Sequence, residues 1–169
     1  DTFDQPSTRS ITFFGNRGAS GIDGNVSTAL GVAAATGQPV TAILGDITFY
    51  HDMNGLLAVG QHDLQNITFV VVNNDGGGIF HRLPVAAHEP PFTDLFLTPH
   101  GLTFEHAAAM YGLRYATVAD AAELEAELKV DAGTARIIEI RTNSAADYSQ
   151  MRAISTAVTT GLETIFTQS

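Results

Sequence analysis

Two short polar stretches carry the residues best suited to chemistry, and each follows a run of apolar residues. Gly45 and Asp46 come directly after the apolar run VTAIL, and Asn74 stands in NNDGGG, which follows ITFVVV. A carboxylate, an amide oxygen and a backbone carbonyl are hard oxygen ligands, the kind that Mg²⁺ takes together with substrate phosphates. Gly76 allows the backbone to turn so that a carbonyl faces such an ion. If the two apolar runs are neighbouring strands, the sequence predicts a magnesium site where they end.

The residues after Asp46 add a way to hold an anion. Backbone N–H groups at the start of a helix bind phosphate oxygens, and Ile47 and Thr48 precede a predicted helix. The simpler interpretation is that GD and NN are turn residues, because Asp and Asn favour turns. Each motif alone favours that interpretation, but the two together, at the ends of two buried strands, favour a binding site. The Gly-x-Gly-x-x-Gly and Gly-Lys-Ser/Thr nucleotide motifs do not occur at the places where they would bind phosphate.

The elements that must hold these stretches follow from the spacing of the apolar residues. The predicted strands cover residues 10–14, 40–44, 67–72, 114–117 and 135–140, with a turn at 45–48. The predicted helices cover residues 25–36, 49–61, 103–111 and 119–128, and residues 144–166 form one or two more. Strands that alternate with helices indicate an α/β fold. We expect a doubly wound, mainly parallel sheet with helices on both faces.

Three polar, glycine-rich loops follow predicted strands of this sheet: GNRGASGIDG, GDIT and NNDGGG. Ligands of such sheets bind beyond the carboxyl ends of the strands. If the three strands are parallel, all three loops lie at that end of the sheet. A long segment with four prolines follows Phe80 and runs to about Pro99. Its length indicates a functional or mobile loop.

The composition narrows the classes of protein to which the chain can belong. Its 169 residues suit one domain, and 44% hydrophobic with 15% charged residues indicate a globular protein. The net charge of −10 disfavours nucleic acid and anionic membranes as partners. Because there is no cysteine, a disulfide scaffold and a cysteine-based zinc site are excluded. No apolar run approaches the roughly 20 residues of a membrane span, and we expect a cytoplasmic protein.

The polar stretches also resemble those of a known family. Gly45-Asp46 and Asn73-Asn74, with 26 residues between them, resemble the fingerprint of the thiamin-diphosphate-dependent enzymes. The longer strings NRGASGIDG, GDITFYHDMNGLL, VVVNNDGGGIF and TPHGLTFEHAAAMYGL are similar to one branch of these enzymes. That branch is the 2-succinyl-5-enolpyruvyl-6-hydroxy-3-cyclohexene-1-carboxylate synthases of menaquinone biosynthesis. The resemblance corresponds only to their C-terminal, diphosphate-binding domain, so we expect residues 1–169 to be one such domain of a longer chain.

The resemblance implies roles for the residues that match the family pattern. Mg²⁺ would be bound by Asp46, the side chain of Asn74 and the carbonyl of Gly76. The residues implied in binding thiamin diphosphate are Ser20, Ile22, Gly45, Asp46, Ile47, Thr48, Asn74, Gly76, Gly77 and Ile79.

Four residues are implied in the reaction itself. Ile22 would lie beneath the cofactor and force its bent shape, where the alternative is ordinary packing. Ile79 and Phe80 would wall the site, where the alternative is core packing. Arg17 would clamp substrate carboxylates by bidentate hydrogen bonds, where the alternative is a structural or surface ion pair.

The histidines do not form a metal site by their spacing. His51 lies five residues after Asp46, which on a helix directs it away from that carboxylate, so we expect exposure or local packing. His81 follows Phe80 and borders the site in one interpretation. His100 and His106 are predicted to be structural. Asn16 and Asp23 are second-rank candidates for the site.

The branch that the chain resembles decarboxylates 2-oxoglutarate and adds the succinyl-semialdehyde carbanion to isochorismate. The resemblance therefore implies a homo-oligomeric enzyme with these two substrates. Its activating glutamate belongs to a pyrimidine-binding domain of the same or another subunit, so we expect this chain alone to be inactive. Two alternatives stay open: a domain of another thiamin-diphosphate decarboxylase or carboligase, and a non-catalytic binding module.

Overall fold

The computed structural model describes residues 11–16, 21–131 and 133–167. These residues form one parallel sheet with helices around it. The sheet has four strands in the order β1-β2-β4-β3, all parallel. The strands are β1 (Val40–Gly45), β2 (Ile67–Asn73), β3 (Arg114–Val118) and β4 (Arg136–Arg141). The helices are α1 (Asn25–Thr36), α2 (Asp46–Asp52), α3 (Leu57–Gln61), α4 (Glu105–Tyr111), α5 (Ala121–Lys129) and α6 (Ser144–Thr167). The predicted α/β fold is confirmed.

The main core lies on one face of the sheet. Alternate residues of β2, Ile67, Phe69 and Val71, are buried there because successive strand residues point to opposite faces. Phe49 of α2 contacts both Phe69 and Phe104 edge to face, with ring centroids 5.8 and 5.0 Å apart. These rings fix α2 against β2, so the start of α2 lies close to the end of β2.

The order of the strands explains why helices lie on both faces. The connection from β2 leads to β3 at the edge of the sheet, and the position between them is later filled by β4. Helix α4 lies in this connection and packs on the main core. The chain then returns through α5 to β4, in the opposite direction. Because parallel crossovers are right-handed, the reversal places α5 on the other face. The Arg136 guanidinium on that face donates to the carbonyls of Glu127, Leu128 and Val130 at the end of α5.

The predicted strand at residues 10–14 is wrong for the described residues 11–14, which are irregular. Ile11, Phe13 and Phe14 are all exposed. A strand needs a neighbour for its backbone hydrogen bonds, and the periodicity of five residues does not supply one. The loop at 15–24 therefore does not follow a strand of the described sheet, in contrast to the other two loops.

The region between β1 and β2 also differs from its prediction. The turn predicted at 45–48 is wrong because α2 begins at Asp46, directly after β1. The single helix predicted over 49–61 is interrupted by a 3₁₀ turn at Met53–Leu56. Asn54 and Gly55 are weak helix formers. A Cβ on Gly55 would lie 2.5 Å from Ser27 Oγ, so the glycine also permits close approach of α1.

The longest helix, α6, was predicted as one or two helices and is continuous over 24 residues. Most of its surface is exposed, and it contacts the 3₁₀ turn Gly78–Arg82 near its first residues. Among the described helices, α6 included, none combines the length and apolar character needed to cross a membrane.

Candidate functional site

The two polar stretches meet at the carboxyl ends of β1 and β2. These strands are adjacent and in register, with Gly45 opposite Val72. The residues that follow both strands therefore begin at the same edge of the sheet. The backbone N–H of Gly76 donates to Asp46 Oδ2 at 2.9 Å, so the two stretches are in direct contact. The structure thus brings together residues that are 30 positions apart in the sequence.

Asp46 is the centre of this arrangement. It is the first residue of α2 and only 3% exposed. Its Oδ1 accepts the N–H of Ile47 at 2.7 Å. Its Oδ2 accepts the N–H of Gly76 and faces His100 Nε2 at 3.0 Å. The carboxylate is therefore held in one orientation by three groups.

One oxygen of the loop after β2 has the environment expected of a metal ligand. Asn74 Oδ1 is buried and has no hydrogen-bond partner among the described residues. A buried polar atom without a partner is costly, and a bound cation removes that cost. No cluster of three or more His, Cys, Asp or Glu residues suited to a metal occurs in the described ranges. A metal here would be bound by one carboxylate together with amide and carbonyl oxygens, which is the donor set of Mg²⁺.

The first two glycines after Asp75 are required by close approach of another backbone segment. Gly76 has φ 128°, and a Cβ on it would lie 2.1 Å from the Leu97 carbonyl oxygen. A Cβ on Gly77 would lie 2.3 Å from the Phe96 carbonyl oxygen, and Gly77 N–H donates to Leu97 O at 2.8 Å. The proline-rich segment predicted to be functional or mobile thus packs directly on this loop.

Asp75 ties the same loop to the residues that follow Pro99. Its Oδ1 accepts the N–H groups of Gly101 at 2.7 Å and of His100 at 3.0 Å. The Gly101 N–H, followed by that of His100, lowers the pKa of Asp75 below its usual value, although burial opposes the shift. The carboxylate therefore fixes the turn that carries the His100 ring.

A second buried carboxylate, Glu139 on β4, holds Asn73, the last residue of β2 before the loop. It is fully buried, and its Oε1 accepts from Asn73 Nδ2 at 2.8 Å. Its Oε2 accepts from Phe104 N at 2.9 Å and from Tyr115 Oη at 2.8 Å. Asn73 Nδ2 also donates to Leu102 O at 2.9 Å. Glu139 thus connects Asn73 at the end of β2 to Phe104, while Asn73 itself holds Leu102.

We expect Tyr115→Phe to lower the free energy of unfolding at neutral pH by about 1.5 kcal/mol, the value of a hydrogen bond to a charged group. Burial, followed by the bond to Glu139, raises the pKa of Tyr115. A raised pKa stabilises the fold below the unfolded value of about 10, and the difference from the variant shrinks as pH rises further. Urea unfolding at several pH values measures this, with Tyr50→Phe on the exposed side of α2 as control. A difference that grows with pH would contradict it.

The predicted wall residues lie beside this centre. Ile79 is 67% exposed and Phe80 is 36% exposed, so core packing does not account for either. Phe80 contacts Phe96 edge to face at 5.8 Å, which fixes its ring beside the loop. A cavity of about 370 Å³ adjoins Ile79, Asn74 and the first two turns of α6. Ile79 therefore borders open space together with Asn74, while Phe80 packs on Phe96.

The glycine-rich loop at 15–24 is described in part. Ile22 is half-buried in the turn before α1. Arg17 and Ser20 lie outside the described residues. Asn16 Nδ2 donates to the carbonyl of Asp23 at 3.3 Å. The Asp23 side chain faces His51 Nε2 at 3.3 Å, and His51 is exposed, which is one of the two outcomes expected for it.

The remaining predicted site residues lie at the end of β1, in the first turn of α2 and in the 3₁₀ turn after the glycines. Gly45 ends β1, while Ile47 and Thr48 occupy the first turn of α2, where backbone N–H groups lack helical acceptors. His81 borders the site only through its neighbours, because its ring stacks on Tyr148 at 5.7 Å and its Nε2 lies 3.3 Å from Ser144 Oγ.

Two residues of the site were missed by the sequence analysis. His100 was predicted to be structural, yet its ring contacts Asp46. Asp75 was considered only as part of the polar, glycine-rich loop NNDGGG, yet it holds the backbone of His100 and Gly101. The positive φ of Asp75, 64°, is a turn conformation that the sequence suggests. No signal in the sequence places His100, which is 54 residues from Asp46, against that side chain.

Comparison with protein families gives a match over most of the chain. Residues 4–140 match the family model described as thiamine pyrophosphate enzyme, C-terminal TPP binding domain. Thiamine pyrophosphate is another name for thiamin diphosphate.

Curated relatives have the name of the branch found by resemblance. A 2-succinyl-5-enolpyruvyl-6-hydroxy-3-cyclohexene-1-carboxylate synthase of Roseiflexus sp. (strain RS-1) is 56% identical over 157 residues, 91% of this chain and 27% of the relative. A synthase of the same name from Natronomonas pharaonis is 47% identical over 161 residues, 94% of this chain and 27% of the relative. The chain thus spans about a quarter of the length of these relatives.

A solved structure has the same fold. The Rhodococcus jostii RHA1 thiamine diphosphate-dependent 4-hydroxybenzoylformate decarboxylase superposes with a TM-score of 0.59 at 24% identity, covering 73% of this chain and 23% of that one. At this identity the likeness concerns the fold alone.

Proposed function

The chain belongs to the thiamine pyrophosphate enzymes, through their C-terminal TPP binding domain, and we propose that it binds thiamin diphosphate through Mg²⁺ at the carboxyl ends of β1 and β2. The metal ligands would be Asp46, Asn74 Oδ1 and the Gly76 carbonyl. The observation that carries the proposal is the buried Asn74 Oδ1, which lacks a partner in the part of the chain that the structure describes and lies in a loop whose Gly76 N–H donates to Asp46.

Backbone groups of the chain would hold the diphosphate end of the cofactor. The first-turn amide of Thr48 meets the diphosphate, while Ile47 N–H already donates to Asp46 and orients its carboxylate. Gly45, Gly77 and the backbone around them permit close approach of the phosphates. When bound, thiamin diphosphate supplies the means to stabilise negative charge on a substrate carbon after decarboxylation.

The organic part of the cofactor would be placed by apolar side chains. Ile22 supports it from the turn before α1, and Ile79 and Phe80 exclude water from the reacting side. Ser20 is a further cofactor contact in this proposal. Arg17 binds a substrate carboxylate, because its planar guanidinium matches that group with two hydrogen bonds. A pyrimidine-binding domain, from the same or another subunit of a homo-oligomer, completes the site.

For the whole protein we propose the activity named for its relatives. The reaction is decarboxylation of 2-oxoglutarate and transfer of the remaining succinyl-semialdehyde unit to isochorismate, in menaquinone biosynthesis. Identities of 47–56% to synthases of that name support the substrate assignment. Because the chain covers about a quarter of those proteins, the remaining parts of the site lie elsewhere in them.

The substrate assignment is tested with the protein at its full natural length. We expect CO₂ release from 2-oxoglutarate, dependent on thiamin diphosphate and Mg²⁺, with product formed only when isochorismate is present. Pyruvate, which lacks the second carboxylate, serves as the comparison substrate. Turnover of pyruvate but not 2-oxoglutarate would overturn the substrate and favour another carboligase. Turnover without added or bound thiamin diphosphate would overturn the cofactor.

A further inference from the structure

We propose that His100 determines which divalent cation the site accepts, by occupying one oxygen of Asp46 so that the carboxylate binds metal through its other oxygen alone. The inference rests on the proposed function, because the proposed Mg²⁺ site is its object. His100 acts here as a positioning residue and does not itself bind the metal.

The tautomer of His100 follows from its two neighbours. The backbone N–H of Leu102 donates to His100 Nδ1 at 2.9 Å. Because Nδ1 is the acceptor, the proton of the neutral ring is on Nε2. That nitrogen lies 3.0 Å from Asp46 Oδ2, so the ring donates a hydrogen bond to this oxygen.

The hydrogen bonds to Asp46 leave little of its carboxylate free. A carboxylate has about four acceptor positions, two on each oxygen. Oδ2 accepts from Gly76 N–H and from His100, and both its positions are filled. Oδ1 accepts from Ile47 N–H and has one position left. A cation can therefore be bound by Oδ1 only, in the monodentate mode.

The mode of carboxylate binding separates Mg²⁺ from Ca²⁺. Mg²⁺ is small and requires a near-ideal octahedral set, usually with one or two carboxylates and several waters. Ca²⁺ takes six to eight oxygens and often uses both oxygens of one carboxylate. By blocking Oδ2, His100 removes the two-oxygen mode and favours the smaller ion.

The position of His100 is itself fixed by Asp75, which lies in the loop after β2. Its backbone N–H and that of Gly101 both donate to Asp75 Oδ1. The Asp75 carboxylate and the Asp46 carboxylate are the charged groups that the ring faces, at 3.6 Å and 3.0 Å. The side chain is only 14% exposed. Rotation of the ring away from Asp46 would break the Leu102 bond, so the ring stays in place when a cation arrives.

Two substitutions separate the hydrogen bond to Asp46 from the support of the loop. In His100→Asn the side-chain oxygen replaces Nδ1 as acceptor for Leu102 N–H, but nothing reaches Asp46. In His100→Gln the amide nitrogen replaces Nε2 as donor to Asp46, while the Leu102 bond is lost. Each variant is made in the natural protein at its full length. Calorimetry with thiamin diphosphate present then gives its dissociation constants for Mg²⁺ and Ca²⁺.

We expect His100→Asn to lower the ratio of Mg²⁺ to Ca²⁺ affinity by about tenfold, the lower end of what outer partners of a metal ligand contribute. We expect His100→Gln to keep the ratio close to that of the natural protein. An unchanged ratio in His100→Asn, or a larger change in His100→Gln, would overturn the inference and assign His100 to loop support. If the natural protein binds no Mg²⁺, or Asp46→Ala still binds it, the proposed metal site fails as well.

Discussion

Replacing Asp46 by alanine is expected to weaken Mg²⁺-dependent binding of thiamin diphosphate by at least about 100-fold. Asp46 is the one carboxylate of the proposed ligand set and is almost fully buried. Loss of one partner of a buried charge pair costs about 3–5 kcal/mol, which corresponds to about 100- to several thousand-fold in affinity. Calorimetric titration of the natural protein and the variant at saturating Mg²⁺ measures the change.

Two further variants control for the loss of charge and for the fold. Asp94→Ala removes the same charge from an exposed position and should bind as the natural protein does. Asp46→Asn keeps an acceptor for Ile47 N–H and tests whether the negative charge itself is needed. Equal affinities for the natural protein and Asp46→Ala, with a folded variant, would remove Asp46 from the metal site.

Replacing Gly76 by alanine is expected to lower the free energy of unfolding by about 3 kcal/mol or more and to abolish cofactor binding. A residue with a Cβ is strained at φ 128°, which alone costs about 1–3 kcal/mol. The added Cβ would also lie 2.1 Å from the Leu97 carbonyl oxygen, so the backbone must move. That movement would displace the Gly76 N–H from Asp46 and the Gly76 carbonyl from the proposed metal site.

Gly31→Ala is the matched control for the effect of adding a methyl group. Gly31 lies on the exposed side of α1, and a Cβ there meets nothing within 4 Å. Because alanine favours a helix interior, this variant is expected to gain about 0.5–1 kcal/mol. Chemical unfolding of both variants gives the comparison. Equal stabilities for Gly76→Ala and the natural protein would contradict the close approach of segment 96–98 to the loop.

The parts of the fold that the sequence predicted well are those with local causes. Helix α1 was predicted with its observed bounds, because its apolar residues have helical spacing and Gly37 ends it in a left-handed conformation. Strands β1 to β4 were predicted within about two residues, as runs long enough to be buried. The predictions were wrong where a strand needs a distant partner, as at 11–14, and where a glycine permits close approach of another helix, as at Gly55.

The candidate site divides in the same way. The contact between Asp46 and the loop after β2 could be predicted, because parallel neighbouring strands end at one edge of a sheet. The contacts of His100 could not, since they depend on how the segment after Pro99 folds back over the loop. Glu139 likewise lies in a predicted strand, but its partners Asn73 and Tyr115 are 66 and 24 residues away. Local pattern does not reveal contacts of this range.

We propose above all that thiamin diphosphate binds through Mg²⁺ between the ends of β1 and β2. The most direct test of this binding is a calorimetric titration of the natural protein, at its full length, with thiamin diphosphate in excess Mg²⁺ and again in excess EDTA. We expect saturable binding with Mg²⁺ and a much weaker or undetectable signal in EDTA. Binding of equal strength under both conditions, or no binding under either, would contradict it.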